Sequence, residues 1–279
     1  MHKIQIGFIG QGYIGKNYAD DFEARGHRVI RYAKEKPYDI NKDSIKKCDV
    51  VFIAVPTPTT PKGYDASIIK KVIPLTRVGS IIVLKSTILP GLTKKFQKEF
   101  SNRTIMYSPE FLSEATAAFD AAHPFMNIVG IAQNTSKHKK AARLVRSILP
   151  KAPFSKIVSS DEAELIKYSH NCSGYTQIIF FNLMYDLANK LKANWKNVED
   201  ALKADPLIPN RYASPVHKSG RGAGGHCFIK DMAALSLTYS KVVRDKNGIN
   251  VIKSMEETNK SLLQKSKKDL DLLKGVYGK

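Results

Sequence analysis

The sequence predicts an α/β fold, a doubly wound parallel sheet followed by an all-helical domain, and three observations predict it. An apolar run from Lys3 to Ile9 feeds a glycine turn, Gly10-Gln-Gly-Tyr-Ile-Gly15, and a helical stretch that ends near Arg25. Short apolar runs and helical stretches then alternate as far as residue 158. From Asp161 onward the pattern changes to long helices. Unbroken apolar strands separated by helices are the pattern of a sheet buried on both faces. With 279 residues the chain is long enough for two domains, expected at 1–158 and 159–279.

Each element of the first half has its own signal. The run Gly26 to Ala33 reads as the second strand, so the glycine turn stands between a strand and a helix, as a dinucleotide-binding fingerprint of Rossmann type requires. There the first glycine makes the turn, the second admits a pyrophosphate, and the third lets helix and strand pack closely. Gly10, Gly12, Tyr13, Ile14 and Gly15 are therefore cofactor-binding candidates. The acidic residue expected about 20 positions on, to hold the ribose hydroxyls, is absent. Ala33 stands in its place, with Glu35 close by. Arg31 and Lys34 would suit a 2′-phosphate instead, so NAD and NADP both stay open. Further strands are expected at Asp49–Val55, Ser80–Lys85, Thr104–Tyr107, Met126–Ala132 and Phe154–Val158. Helices are expected at Asp65–Arg77, Leu92–Phe100 and Ser136–Ile148. Ligands of such sheets bind outside the carboxyl ends of the strands. Thr57, Thr59, Ser86, Thr87, Glu110 and Glu114 fall there, although each also suits a helix cap or a turn.

Composition narrows the class. No apolar run approaches the roughly 18 residues of a membrane span, and no charged-then-apolar leader precedes the first strand. Cys48, Cys172 and Cys227 are too few and too scattered for a disulfide framework or a zinc site. These features predict a soluble, cytoplasmic protein with no metal. The net charge of +20, from 45 Lys+Arg against 25 Asp+Glu, attracts anionic ligands. It is spread along the chain without interleaved stacking aromatics, so no specific nucleic-acid role is expected.

In the second half, Ser159-Ser-Asp-Glu162 resembles a capping box ahead of a helix to about Lys192. Lys167 and Asn171 are four apart and share a face, either as oxyanion donors or as part of a solvated helix surface. The stretch Ile178–Leu187 is apolar nearly all round, so it is central to the domain or pairs with a second subunit. Trp195–Ala204 reads as a short helix and Val251–Leu273 as a polar one, with a frayed end. The densest chemistry is Gly222-Ala-Gly-Gly-His-Cys-Phe-Ile-Lys-Asp231. Cys227 follows three glycines at the start of a helical run, where unpaired N–H groups favour a thiolate. Asp231 stacks one turn on. The pair suggests covalent catalysis on a carbonyl, or else a buried cysteine beside a glycine loop.

Taken together, Gly10–Gly15, Val55-Pro-Thr-Pro-Thr59, Ser86-Thr-Ile-Leu-Pro-Gly91, Pro109-Glu-Phe-Leu-Ser-Glu114, Glu164-Leu-Ile-Lys-Tyr-Ser-His-Asn171, Arg211 and Gly224–Asp231 resemble the UDP-glucose/GDP-mannose dehydrogenase family, in the family's order over roughly residues 4 to 240. The resemblance implies NAD-dependent four-electron oxidation of a nucleotide-sugar C6 alcohol to the uronic acid, UDP-glucose to UDP-glucuronate first. Cys227 matches the nucleophile, Lys167 and Asn171 the oxyanion donors, Asp231 the proton-handling carboxylate. Thr87 and Glu114 match water-positioning groups. Glu110, Phe111, Leu112, Arg211 and Gly224 match the substrate contacts. Pro58, Thr59, Ser86 and Lys230 join the cofactor set. A homodimer through helix 161–192 is implied as well. Met126 stands where the family usually has arginine. Members continue into a second α/β domain that holds much of the nucleotide, whereas this chain ends at Lys279, which makes a compact or truncated form the expectation. Two rivals remain: a single-step 3-hydroxyacid-type dehydrogenase with an idle Cys227, and a non-catalytic nucleotide-binding homologue.

Overall fold

The computed structural model describes residues 4–218 and 220–278; Lys3, the expected start of the first strand, lies outside them. In chain order the first elements are β1 (Ile6–Ile9), α1 (Tyr13–Ala24), β2 (Val29–Tyr32), β3 (Val50–Ile53), β4 (Thr59–Thr60), β5 (Gly63–Tyr64), α2 (Ser67–Val72), β6 (Ile81–Leu84), α3 (Leu92–Glu99) and β7 (Thr104–Tyr107). There follow α4 (Ala117–Ala122), β8 (Met126–Ile131), α5 (Ser136–Ile148), β9 (Phe154–Ser159), α6 (Ser160–Lys190), α7 (Trp195–Ala204), β10 (Val216–His217), β11 (Gly220–Arg221), α8 (Gly225–Val242), α9 (Lys246–Lys265) and α10 (Leu270–Tyr277). They fall into two compact units, residues 1–57 with 65–167, and residues 58–64 with 168–279.

The first unit is built on a seven-stranded sheet in the order β2-β1-β3-β6-β7-β8-β9. The strands β1, β2, β3, β6 and β7 are parallel, as their continuous apolar sequences predict. The chain reverses at β8, which pairs antiparallel with β7 through Met106–Ile131 and Tyr107–Gly130. The sheet is thus mostly parallel, with β8 and β9 parallel to each other and antiparallel to the rest. Both faces are covered. Phe8, Phe22 and Phe52 stack on one side with Tyr18 and Val145. Ile9, Ile53, Ile69, Leu84 and Phe96 fill the other.

The second unit is mainly helical, with two small hairpins, β4–β5 and β10–β11, that the helical pattern did not reveal. The capping box at the start of α6 forms as its sequence predicts: the Ser159 N–H and hydroxyl both donate to the Glu162 carboxylate at 2.7 Å. The single polar helix expected at 251–273 is instead α9 and α10, broken at Lys267 and Asp269, which take left-handed φ values of 54° and 51°. Residues 274–277, expected to fray, complete α10, which packs Leu273 into a buried cluster with Ile229 and Leu263. No helix of the described residues is long and apolar enough to cross a membrane.

Candidate active site

The glycine turn is shaped as a cradle. Gly10 adopts φ +92°, and a Cβ there would strike the Ala54 carbonyl, while one on Gly15 would strike the Gly10 carbonyl. Only glycine fits at both positions. Gly12 differs: a Cβ there would meet nothing within 4 Å among the described residues. Gly12 is also the N-cap of α1 and makes no side-chain cap bond. Open space in front of a helix N-terminus is the geometry that a pyrophosphate requires. Tyr13 is exposed and Ile14 half-buried beside this space.

The carboxyl ends of β3 and β6 are laced together. Ser86 Oγ donates to the Val55 carbonyl at 2.6 Å and accepts from the Val55 N–H at 3.0 Å. Thr57 Oγ1 donates to the Thr87 carbonyl at 2.8 Å. Ser86 and Thr57 thus hold the rim in shape through their own hydroxyls. Thr87 is buried there and Glu114 is exposed. In the second unit, Pro58 is exposed and Thr59 is buried in the β4–β5 hairpin.

At the end of β2, Arg31 does not reach forward. Its guanidinium donates to Glu23 at 2.6 and 3.0 Å and to Asp20 at 2.6 Å, both on α1. Burial alone would lower its pKa; these two carboxylates hold it above the ordinary value. Lys34 and Glu35 are exposed.

Lys167, the last residue of the first unit, is buried on α6. Its Nζ donates to the Glu110 carbonyl at 2.7 Å and to Glu110 Oε1 at 2.8 Å, and lies 5.4 Å from the centroid of the Phe111 ring. Burial would raise the Glu110 pKa, but the Lys167 ammonium, the Leu112 N–H and the Lys85 charge hold it below the ordinary carboxylate value. Lys85 was not among the expected site residues. The signal available was a lysine at the end of a buried strand, directly before Ser86.

In the second unit Asn171 Nδ2 donates to Asp231 Oδ2 at 2.6 Å, with both side chains buried. Lys230 pairs with the other Asp231 oxygen. Cys227 is the third residue of α8 and is exposed, whereas Cys48 and Cys172 are buried. Burial pushes both buried thiols up to about 12. The N-terminus of α8 is less open than the sequence suggested: the Gly225 N–H donates to the Asp269 carboxylate at 2.8 Å. The loop before it is held from the far end of the chain. Asn259 accepts from the Ala223 N–H at 2.7 Å and donates to its carbonyl at 3.0 Å, and Lys268 Nζ donates to the Gly222 carbonyl at 3.0 Å. A Cβ on Gly224 would collide with the Asp269 carboxylate, so that glycine is required by packing. Asn259, Lys268 and Asp269 were invisible to motif reading because they lie 36 to 46 residues downstream of the loop they hold. Arg211 sits exposed in a turn, 5.9 Å from the centroid of the Tyr212 ring.

Among the described residues no group of three or more His, Cys, Asp or Glu side chains converges to hold a metal. A cavity of about 660 Å³ in the first unit, lined by Lys94, Ile131, Lys139, Arg143 and Val158 among others, contains none of the candidate residues.

A parallel sheet with a glycine cradle at its switch point, joined to a helical unit, defines a nicotinamide-dinucleotide dehydrogenase fold. The comparisons narrow the class. Residues 34–149 match the NAD binding domain of the UDP-glucose/GDP-mannose dehydrogenase family, and residues 161–261 match that family's central domain. The chain belongs to the UDP-glucose/GDP-mannose dehydrogenase family. A UDP-glucose 6-dehydrogenase of Rickettsia conorii is 28% identical over 278 residues, covering 84% of this chain and 62% of the relative. A putative UDP-glucose 6-dehydrogenase of Bacillus subtilis is 32% identical over 207 residues, covering 70% and 47%. The chain thus spans about half to two thirds of the length of these relatives. A solved UDP-glucose dehydrogenase from Pyrobaculum islandicum superposes with a TM-score of 0.80 at 23% identity, covering 93% of this chain and 68% of that one. A 3-hydroxyisobutyrate dehydrogenase of Mycobacterium tuberculosis superposes at 0.71 and 16% identity, covering 99% and 98%. At such identities the two structures speak for the fold.

Proposed function

We propose that this chain oxidises the C6 alcohol of a nucleotide sugar to the carboxylate, with UDP-glucose to UDP-glucuronate as the first substrate to test. The observation that carries the reading is the placement of the cysteines. Of the three, only Cys227 is exposed, and it stands at the start of a helix with the buried, hydrogen-bonded Asp231 four residues on.

The cofactor we assign is NAD, held by Gly10, Gly12, Tyr13, Ile14 and Gly15, the rim residues Thr57, Pro58, Thr59, Ser86 and Thr87, and Glu114 and Lys230. The open space at Gly12 supports a bound pyrophosphate. The engagement of Arg31 by Glu23 and Asp20 supports NAD over NADP. Bound there, the cofactor supplies the hydride acceptor.

The chain's own residues would do the rest. The overall change is RCH2OH + 2 NAD+ + H2O → RCOO− + 2 NADH + 3 H+, so an aldehyde must be held between two oxidations. The Cys227 thiolate would add to the aldehyde carbon, and the resulting thiohemiacetal would be oxidised to a thioester. Water would then cleave the C–S bond and restore the thiolate. Lys167 and Asn171 would donate to the successive oxyanions. Asp231 would move protons, with Thr87 and Glu114 orienting the water. Glu110, Phe111, Leu112, Gly224 and Arg211 would contact the sugar nucleotide. The working protein would be a homodimer through the 161–192 helix, in the cytoplasm.

The test is cofactor stoichiometry with UDP-glucose, GDP-mannose and UDP-N-acetyl sugars, in NAD and NADP separately. Two cofactors reduced per sugar is the expected result. One per substrate would replace this reading by a single-step hydroxyacid-type dehydrogenase. Tight binding without turnover would make the chain a non-catalytic homologue. In Cys227→Ser, acid production should vanish while NAD binding stays within about twofold; full acid production by that variant would eliminate the covalent step.

A further inference from the structure

Lys85 directly follows the strand β6 and is 2% exposed. Its Nζ lies 3.3 Å from Ser108 Oγ, 3.5 Å from the Pro109 carbonyl and 4.1 Å from the centroid of the Tyr18 ring. It forms no ion pair among the described residues. An ammonium taken out of water needs compensation, and the hydrogen bonds it donates to neutral oxygens, with one aromatic face, supply only part of it. The charge that favours the ammonium is Glu110, one residue past the carbonyl that Lys85 holds. Glu110 is in turn gripped by Lys167 from the opposite element, α6. The segment Ser108-Pro109-Glu110 is therefore clamped by two buried lysines, Lys85 at its first two residues and Lys167 at its last.

We propose that Lys85 is a positioning residue for Glu110: it fixes the backbone that carries this carboxylate and, together with Lys167, keeps it ionised at the substrate edge. Below about pH 7, where Lys85 is protonated, the cluster holds two ammoniums and one carboxylate. Burial foremost, and then the Lys167 charge, lowers the Lys85 pKa to about 7 against the pull of Glu110. The other ionisable groups facing the cluster are Tyr18, itself pushed up by burial, and Asp21 and Asp120, which act on Tyr18 from α1 and α4. The proposal rests on the dehydrogenase reading for its catalytic consequence, but the Lys85–Glu110 coupling can be measured without turnover.

The experiment is a double-mutant cycle with a pH profile. Urea unfolding at pH 6 is measured for the wild type, Lys85→Met, Lys85→Gln, Glu110→Gln and the two double variants, with Lys85→Gln serving if the methionine variant does not fold. Replacing Lys85 should raise the unfolding constant at least about fivefold more when Glu110 is present than when Gln occupies that position. In the sugar-oxidation assay the acid limb of kcat should move to higher pH, because Glu110 has lost a cation that favours its charged form. Additive effects overturn the proposal. Coupling with an unmoved acid limb gives Lys85 a structural part only and overturns it as well. Wild-type protein that turns over no sugar would sink the dehydrogenase reading instead, and the cycle alone would then decide whether Lys85 holds Glu110.

Discussion

The Asn171 amide donates to the Asp231 carboxylate at 2.6 Å across 60 residues of sequence, and both side chains are buried. A buried carboxylate bound in this way loses its main neutral donor if the amide is removed. Asn171→Ala should therefore destabilise the protein by about 2 kcal/mol, read from urea unfolding, and abolish sugar oxidation. An unchanged unfolding midpoint would mean that Asp231 finds another donor.

The glycine turn separates packing from binding. Gly15→Ala drives a Cβ into the Gly10 carbonyl, so it should lower stability and cofactor affinity together. Gly12→Val meets open space and should leave the unfolding midpoint within about 0.5 kcal/mol of wild type. It should nevertheless weaken NAD at least about tenfold by filling the pyrophosphate position, as calorimetric titration would show. Unaltered NAD affinity in Gly12→Val would remove the cradle from the cofactor site.

The Glu110 pair sets an acid-side slope. The folded carboxyl titrates below its ordinary value of 4.5, so below that value the unfolded chain binds more protons than the folded one. The stability contributed by Glu110 is present above 4.5 and is lost as pH falls through the lower folded value. Lys167→Met leaves this carboxylate buried with half its clamp gone. It should cost about 3–5 kcal/mol at neutral pH and flatten the acid-side dependence.

Lys85 sets a slope of the same sign on the alkaline side. Its folded value of about 7 lies below the ordinary 10.5, so between these limits the unfolded chain carries a proton that the folded chain has shed. Stability should rise with pH across that window, and Lys85→Met should remove the rise. Urea midpoints at pH 7, 8 and 9, with an identical slope in wild type and variant, would contradict this.

On α6, Phe180, Leu183 and Leu187 stand 53%, 48% and 51% exposed at a three- and four-residue spacing, with Leu191 70% exposed just past the helix. A contiguous apolar stripe of this length suits a partner helix. For the proposed homodimer, Leu187→Asp should convert a dimer to a monomer in sedimentation experiments without loss of helix. A wild-type chain that sediments as a monomer at all concentrations would exclude this interface.

Much of the fold could be read from the sequence because it depends on local pattern. Thr104–Tyr107, Ser136–Ile148 and Trp195–Ala204 form the elements expected of them, to the residue. The glycine turn stands between a strand and a helix because only Gly fits at positions 10 and 15. The reversal at β8 was not visible, since strand direction leaves no mark on the strand's own composition. The break between α9 and α10 was missed because Lys267 and Asp269 hold left-handed φ values, and the contacts made at this break, Lys268 to the Gly222 carbonyl and Asp269 to the Gly225 N–H, reach far along the sequence.

By itself the sequence determined the alternation of strands and helices, the cradle and the motifs that place the chain in its family, all properties of neighbours in the chain. Tertiary structure alone decided which charges meet. Arg31 turned back to α1, Lys85 and Lys167 clamped the segment of Glu110, Asn171 reached Asp231, and Asp269 capped the helix of Cys227. Burial makes each of these pairings matter, because a charge or amide out of water must find its partner wherever the chain brings one, at a separation that no local pattern encodes.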